Sequence, residues 1–273
     1  MILIPMRRYG AMILMLLICT FSGGVFAKTH TVTKHHKASV TKASLSKASS
    51  KKEYSRNSAK SGSLPDLRQY PSGTPRKKAF LRTVMPYITS QNAAIIADRN
   101  WLVSKRYAGR WSPSERTRLK NIAARYKVSW NGNTRKVPWN TLLERVDIIP
   151  SSMVATMAAT ESGWGTSKLA RMNNNLFGMK CGAGCKNKAG AVRGYSQFGS
   201  VKESVQAYAN NLNTHPAYKS FRKSRAQLRQ MDQDVTAVKM IHKLKGYSTR
   251  GSNYNDFLLT MYQDNRRLIA AHM

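Results

Sequence analysis

Acidic residues are scarce in this sequence. The chain has 12 Asp and Glu against 46 Lys and Arg, for a formal net charge of +34. A surface of this kind attracts polyanions. Between Glu161 and Glu203 there is no acid at all, so that stretch cannot supply the pair of carboxyl groups that many hydrolytic sites use.

Long apolar runs are also lacking. The run from Ala11 to Phe21 falls short of the roughly 20 residues that a membrane-spanning helix needs. Because Arg7 and Arg8 precede this run and small residues follow it, residues 1–27 are predicted to be a cleaved secretory signal. The prediction places the protein in the periplasm; the alternative is an inner-membrane anchor formed by an uncleaved N-terminus.

Cysteine is almost absent from the chain that follows the signal. Only Cys181 and Cys185 remain there, and an exported protein enters an oxidising compartment. We therefore expect a local disulfide, in a tight ring that Gly182 and Gly184 make feasible. A zinc site would need further ligands, which the CGAGC segment lacks. No metal and no cofactor is predicted.

Residues 28–64 contain almost nothing apolar. They hold eight Lys, Arg56 and a single acid, Glu53, among many Ser and Thr, and this composition predicts a disordered basic linker. The chain from residue 65 onward is strongly basic as well. Since export removes nucleic acid as the leading partner, we expect either an anionic surface of the cell envelope as a partner or a generally solvated basic face.

Helical patterns dominate the remaining sequence, in which no repeats occur. Ser112 and Glu115 form a predicted capping box, Pro113 suits a first turn, and an apolar stripe follows: Leu119, Ile122, Ala123 and Tyr126. Further helices are expected over 75–107, with an interruption near Pro86, from Pro138, and over 152–161, with Ser151 or Ser152 as the cap.

The sequence divides at about residue 140. Residues 65–140 are predicted to be a helical N-terminal portion, and residues 141–273 a second domain. Three roles remain open for the first portion: an integral cap on the second domain, a separate domain that targets the envelope, or a regulatory cover over a cleft.

Glu161 has the setting of a general acid. Met153, Met157 and Glu161 recur every four residues, so the carboxyl group shares a helix face with two apolar side chains. Burial and the negative end of the helix dipole both disfavour a charged carboxylate, which suits a proton donor. The alternative is an exposed glutamate paired with Lys168 or Arg171.

The segments ESGWGTSKLA and NNLFGMK resemble the signature of the family 73 glycoside hydrolases, the N-acetylglucosaminidase domains that cut bacterial cell-wall glycan. The resemblance implies an α+β, mostly α fold: a lysozyme-like helical domain with a small β-lobe over residues 181–199. It implies cleavage of the β-1,4 bond between N-acetylglucosamine and N-acetylmuramic acid. It also implies that Glu161 is the catalytic acid, and that Tyr247 matches the tyrosine of the family's Tyr-Ala-Thr segment, although Ser248 replaces the alanine.

Several side chains are candidates for contact with the glycan, and each has a structural alternative. The ring of Trp164 can stack on a sugar or fill the core. The amides of Asn174 and Asn175 can bind acetamido groups or brace the following turn. Tyr195 and Tyr254 can stack on sugars or pack. The hydroxyl of Tyr247 can polarise the acetamido carbonyl or position water; the alternative is a buried phenol that bonds to a main-chain group.

Glycoside cleavage usually needs a second carboxyl group. Glu203 is expected to form a capping box with Ser200. The 2-acetamido group of the substrate is therefore favoured over Glu203 or a remote aspartate as the group that stabilises the developing cation.

Other classes of function stay open at this point. A lytic transglycosylase also uses one glutamate before a serine, but its Gly-Leu-Met-Gln segment is absent. A cysteine peptidase would pair Cys181 with His215 or His242 and would need a free thiolate. A non-catalytic wall-binding protein would hold glycan without cutting it. We predict a monomeric endo-β-N-acetylglucosaminidase that binds peptidoglycan strands and no nucleic acid.

Overall fold

Helices make up most of the chain that the computed structural model describes, which is residues 62–182, 185–244 and 252–273. The α-helices of this part are α1 (Thr74–Lys105), α2 (Pro113–Arg125), α3 (Trp139–Arg145), α4 (Ser151–Ser162), α5 (Lys168–Asn173), α6 (Val201–Thr214), α7 (Lys219–Gln230), α8 (Ala237–Ile241) and α9 (Ser252–Ala270). Short 3-10 helices span Leu67–Gln69, Thr134–Lys136 and Pro216–Tyr218. The predicted signal, nearly all of the predicted linker, and Tyr247 lie outside the described residues.

Helix α2 begins as the sequence predicts. The Ser112 hydroxyl accepts a hydrogen bond from the Glu115 N–H at 3.2 Å, and the Glu115 carboxylate accepts one from the Ser112 N–H at 3.0 Å. This reciprocal pair satisfies two N–H groups that a helix start leaves without partners. The predicted stripe is buried: Leu119, Ile122, Ala123 and Tyr126.

Helix α1 runs through Pro86 without a break, so the predicted interruption is wrong. Proline has no N–H to give to the carbonyl of Arg82 four residues earlier. Both Arg82 and Pro86 are exposed, so water can donate a hydrogen bond to the Arg82 carbonyl. The opposite face of the helix is buried and holds the two halves in one line: Phe80, Leu81, Val84, Met85 and Ile88.

Helix α4 lies at the centre of the hydrophobic core. Every residue from Met153 to Ala159 is buried, and the helix packs against α1, α8 and α9. Its predicted serine cap is absent, because Pro150 occupies the capping position and Ser151 is already helical. The core extends from Leu64 to Ile269, so residues on both sides of position 140 share it, and the described residues belong to one compact unit.

The predicted β-lobe is not found. Among the described residues of 179–199 there is one antiparallel bridge, between Lys180 and Tyr195. Side-chain amides donate hydrogen bonds to main-chain carbonyls that would accept from a neighbouring strand in a sheet. Asn173 Nδ2 donates to Val192 O at 3.1 Å, and Asn187 Nδ2 donates to Tyr195 O at 3.0 Å.

Cys181 and Cys185 form the expected disulfide, with Cα atoms 5.7 Å apart. The bond closes the loop next to the Lys180–Tyr195 bridge. It also removes the free thiolate that the peptidase alternative requires.

Residues 62–64 belong to the folded part, although the sequence places them in the linker. Val201 N–H donates to Gly62 O at 2.9 Å, and Leu64 N–H donates to Asn174 Oδ1 at 3.0 Å. Leu64 is buried. In the part of the chain that the structure describes, no helix has the length and apolar character required to span a bilayer.

A buried charge cluster ties α3 to α7. Asp147, just after α3, forms ion pairs with Arg229 at 3.0 Å, Arg99 at 3.6 Å and Arg225 at 3.9 Å. Burial acts to raise the pKa of Asp147, but the positive charges of Arg225, Arg229 and Arg99 outweigh burial and leave that pKa below its ordinary value.

Arg225 is fully buried and crosslinks the same region through main-chain carbonyls. Its guanidinium donates to Ile148 O and Glu144 O, each at 2.8 Å, and to Asp147 O at 3.0 Å. Burial lowers the pKa of Arg225 to about 10, against the opposing effect of Asp147. The guanidinium therefore stays charged at neutral pH and needs the carboxylate beside it.

Replacing Asp147 by Asn is expected to lower the free energy of unfolding by about 3–5 kcal/mol at pH 7, because Arg225 loses its buried counter-charge. The folded pKa of Asp147 lies below the unfolded value of about 3.9, so its stabilisation is full above that value and is lost as the pH falls through the folded pKa. The difference in the free energy of unfolding between Asp147→Asn and the wild type should therefore shrink below about pH 4. Urea unfolding at pH 7 and pH 3 measures both effects.

Asp66→Asn is the control, since Asp66 pairs with Arg68 on the exposed surface and Asn keeps a capping oxygen. The free energy of unfolding of Asp66→Asn is expected to stay close to that of the wild type. A wild-type midpoint for Asp147→Asn at pH 7 would refute the role assigned to the cluster.

Candidate active site

Glu161 lies in the last turn of α4, where the chain changes direction sharply. Gly163, Trp164 and Gly165 all have left-handed φ values, of 57°, 55° and 78°. A Cβ atom at Gly165 would lie 2.7 Å from Leu67 Cδ1, so only glycine fits there. The two glycines of the ESGWG segment thus end α4 directly after Glu161, and its side chain is only partly buried.

A cleft of about 510 Å³ opens in front of Glu161. The loop after α5 and helix α6 form its two walls. The loop contributes Phe177, Gly178, Met179 and Lys180, and α6 with the turn that follows it contributes Tyr208, Asn211, His215 and Tyr218. Among the described residues, Glu161 is the only carboxylate that lines this cleft.

The hydroxyl of Tyr254, on α9, donates a short hydrogen bond to Glu161 Oε1. The same hydroxyl lies 4.0 Å from the sulfur of Met157, one helical turn before Glu161. Tyr254 is buried. The sequence suggested sugar stacking or packing for this residue, and the structure places it against the carboxyl group instead.

Gly178 allows the main chain to pass close to the other carboxyl oxygen. Its φ is +63°, and a Cβ atom there would lie 3.2 Å from Glu161 Oε2. Any side chain at this position would press on the carboxylate and would be strained in the left-handed region. The glycine of the NNLFGMK segment therefore keeps the carboxyl group accessible from the cleft.

Two further tyrosines line the wall beside Glu161. The ring of Tyr208 is buried and stacks on Phe177 with ring centroids 4.0 Å apart. Burial raises the pKa of Tyr208 well above its ordinary value, and nearby Tyr218, Tyr254 and Glu161 add to the rise. Burial also raises the pKa of Tyr218. Both phenols therefore keep their protons and act as neutral groups.

Lys180 and His215 bring basic side chains to the cleft. Lys180 is exposed on one wall and His215 on the other. The Nδ1 atom of His215 accepts a hydrogen bond from the Ala217 N–H at 3.2 Å, so in the neutral ring the proton is on Nε2. The cleft can thus offer hydrogen-bond donors to an incoming substrate at a distance from the carboxyl group.

The ring of Trp164 lies outside the described lining of the cleft. It meets Phe80 edge to face, with centroids 5.6 Å apart, and the Lys77 ammonium lies 5.1 Å from its centroid. The alternative pairing of Glu161 with Lys168 or Arg171 is not found among the described residues, and Arg171 Nε donates to Thr166 O instead.

The predicted asparagines are held by main-chain groups. Asn174 Nδ2 donates to Phe198 O at 3.1 Å, and Asn175 Nδ2 donates to Met179 O at 2.8 Å and Ser196 O at 2.9 Å. Asn175 Oδ1 accepts from Met179 N–H at 3.0 Å. These bonds shape the loop that carries Gly178, as the bracing alternative describes.

Tyr195 pairs with Lys180 through the bridge and is half-buried. Its own contact with glycan stays a prediction, as does that of Trp164.

The other described acids are mostly engaged elsewhere. The Glu203 carboxylate accepts from the Gly199 N–H at 2.9 Å, while Ser200 caps α6. In the predicted capping box the Glu203 carboxylate would accept from the Ser200 N–H; it accepts from the N–H of the preceding residue, Gly199, instead. Ion pairs hold five further acids: Asp66, Asp98, Glu115, Glu144 and Asp147.

The sequence analysis did not predict three of the residues that line the cleft: Tyr208, Asn211 and Tyr218. The signal was available in part, because Tyr208, Asn211 and His215 follow a spacing of three and four residues and so share one face of α6. Nothing in the sequence links that face to Glu161, however, because the contact is made across the cleft.

Comparisons with known proteins identify the family of the chain. The family model described as "Mannosyl-glycoprotein endo-beta-N-acetylglucosaminidase" (Glucosaminidase) matches residues 138–267, a range that contains every described residue of the cleft and Tyr254. Protein bax of Escherichia coli (strain K12) is 77% identical over 274 residues, and the match covers 100% of both chains. No solved structure matches the chain significantly. Because its relative is matched along the full length and the family model spans the cleft, the chain belongs to the family of Protein bax and carries a glucosaminidase domain of the family 73 glycoside hydrolases.

Proposed function

We propose that this protein is an endo-β-N-acetylglucosaminidase that hydrolyses the β-1,4 bond between N-acetylglucosamine and N-acetylmuramic acid in peptidoglycan. The observation that carries the proposal is the position of Glu161 as the one carboxylate in the described lining of an open cleft. The match to a glucosaminidase model supports the class of substrate.

Glu161 acts as the general acid. It gives its proton to the glycosidic oxygen as the bond from that oxygen to the sugar C1 breaks, so that the leaving sugar departs with a neutral hydroxyl. The Tyr254 hydroxyl is bound to Oε1 and fixes the rotation of the carboxyl group. Oε2, beside Gly178, then faces the substrate.

The 2-acetamido group of the substrate stabilises the developing cation. Its carbonyl oxygen bonds to C1 as the glycosidic bond breaks. Water then attacks C1 and releases the acetamido oxygen, and the Glu161 carboxylate takes the proton of that water. The distribution of acids supports this route, because Glu53 is the only acid of the sequence outside the described residues, and it lies in the predicted linker.

Tyr247 is proposed to polarise the acetamido carbonyl. The residue lies outside the described part, in the segment 245–251 that leads into α9. Tyr254, seven residues later in the sequence and on α9, donates a hydrogen bond to Glu161.

Periplasmic action fits the proposed substrate. The predicted signal over residues 1–27 would export the chain, and its net charge of +34 favours the anionic polymers of the envelope. A lytic transglycosylase also needs only one carboxylate, so it is the second candidate that the cleft supports.

Glu161→Gln is expected to lower kcat by about 10²–10⁴-fold, because glutamine has no proton to give to the leaving oxygen. Mass spectrometry of the ends released from purified peptidoglycan measures the effect. Reducing N-acetylglucosamine ends indicate hydrolysis, whereas anhydro-muramic ends would establish the transglycosylase. Equal digestion by the variant and the wild type would eliminate Glu161 as the acid.

Glu203→Gln is the matched control, since its carboxylate binds the Gly199 N–H outside the cleft. It should digest peptidoglycan at close to the wild-type rate. A loss as large as that of Glu161→Gln would show that Glu203 supplies the second carboxylate and that the acetamido route is wrong.

Tyr254→Phe is expected to lower kcat by about tenfold or more, with little change in KM. The substitution removes one hydrogen bond to a carboxyl group, a bond of about 1.5–3 kcal/mol, and leaves the ring in place. Steady-state kinetics on a soluble glycan fragment separate the two constants. Tyr262→Phe, on the same helix and packed against the core, should retain wild-type kinetics; equal kinetics for both variants would argue against a positioning role for Tyr254.

A further inference from the structure

Lys180 is the only lysine or arginine among the described residues that line the cleft of Glu161. Its side chain is exposed. None of the ion pairs formed by the described residues includes it. An ammonium in this position is available to an anionic group of a molecule that enters the cleft.

The sequence around Lys180 contains no acid that would compete for it. Residues 162–202 hold seven Lys and Arg and neither Asp nor Glu. In the described lining of the cleft the one carboxylate is Glu161, which accepts a hydrogen bond from Tyr254. A carboxylate on a ligand would therefore meet a wall of positive potential.

Hydrogen bonds hold the main chain on both sides of Lys180. Ser196 N–H donates to Met179 O at 2.8 Å, and Cys181 N–H donates to Gly194 O at 3.2 Å. The disulfide of Cys181 closes the same loop. The stem of the lysine thus starts from a fixed point, which reduces the ordering that binding would require.

The loop brings Lys180 close to Glu161. Gly178 lies beside the carboxyl group, since a Cβ atom there would be 3.2 Å from Glu161 Oε2. Two residues of chain span at most about 7 Å, and lysine adds a flexible four-carbon stem. The ammonium can therefore reach substituents of the sugar whose glycosidic oxygen receives the proton of Glu161.

The substrate of the proposed reaction carries a carboxylate on that sugar. N-acetylmuramic acid is the leaving sugar, and its C4 oxygen takes the proton. The adjacent carbon, C3, bears a lactyl ether that ends in a carboxyl group, either free or joined by an amide bond to a peptide with carboxylates of its own. N-acetylglucosamine has only a neutral hydroxyl at C3, so a cation beside the leaving sugar can tell the two sugars apart.

We propose that Lys180 determines specificity for the leaving sugar by binding a carboxylate on the lactyl arm of N-acetylmuramic acid. The inference rests on the proposed function and adds to it the group that the cleft recognises. The carboxylate is that of the lactyl group itself or that of the attached peptide. An ammonium with three donors on a flexible stem suits either position.

The full chain with Glu161→Gln is the parent for the test, because it is expected to bind glycan without cutting it. Calorimetry compares three tetrasaccharides of alternating N-acetylglucosamine and N-acetylmuramic acid. The first has free lactyl carboxylates, the second has the same groups as neutral methylamides, and the third carries a short peptide that ends in a carboxylate. At least one carboxylate form should bind about three- to tenfold more tightly than the methylamide. This preference should fall at high salt, which screens exposed charges.

Lys180→Met, added to the parent chain, removes the charge and keeps an unbranched side chain. The variant should bind the carboxylate and methylamide forms equally. Lys188→Met is the matched control, because it removes the same charge from an exposed position of the same loop outside the described lining of the cleft. It should keep the preference of the parent. Lys180→Arg retains a cation and should keep most of that preference.

Three results would overturn the inference. One is equal binding of the carboxylate and methylamide forms by the parent chain. Another is a preference that survives Lys180→Met. The third is an equal loss of preference in Lys180→Met and Lys188→Met, which would assign the effect to the general charge of the loop. If the parent chain binds none of the three tetrasaccharides, the proposed function fails together with the inference.

The two sources of the carboxylate give different results that both support the role of Lys180. A preference for the first tetrasaccharide identifies the lactyl carboxylate. A preference for the third tetrasaccharide alone identifies the carboxylate of the peptide. In each case the preference should disappear with Lys180→Met.

Discussion

The burial of α4 on all sides is the constraint on which the site depends. Residues Met153 to Ala159 are enclosed by α1, α8 and α9, so the helix can neither rotate nor slide without exposing apolar surface. Its final turn is the part that reaches the cleft, and Glu161 is carried there. Gly163 and Gly165 then turn the chain away at once, which leaves the carboxyl group in front of an open volume.

Charge is distributed in a way that isolates this carboxyl group. Five of the described acids are paired with lysine or arginine. Buried Asp147 alone meets three arginines, of which only Arg225 is fully buried. Removing one partner from a buried pair of this type is strongly destabilising, because the other charge is left buried without compensation. In this strongly basic protein, Glu161 accepts a hydrogen bond from the Tyr254 hydroxyl, and it forms no ion pair with the residues that the structure describes.

The N-terminal helices share one compact unit with the glucosaminidase domain. Helix α1 packs on both α4 and α6, and the hydrophobic core continues from one side of residue 140 to the other. The same helices line a second pocket, which lies on the other side of α6 from the cleft of Glu161. A displacement of α6 would alter both.

The sequence by itself determined the helical class, the capping box of α2, the disulfide of Cys181 with Cys185, and the shared face of Met153, Met157 and Glu161. These features depend on residues close together in the chain, where spacing fixes geometry. Tertiary structure alone decided that Tyr254 meets Glu161, that Pro86 leaves α1 unbroken, and that Asn173 and Asn187 replace a β-lobe with a loop held by side chains. Those outcomes depend on contacts between distant segments and on which face meets water, and local spacing encodes neither.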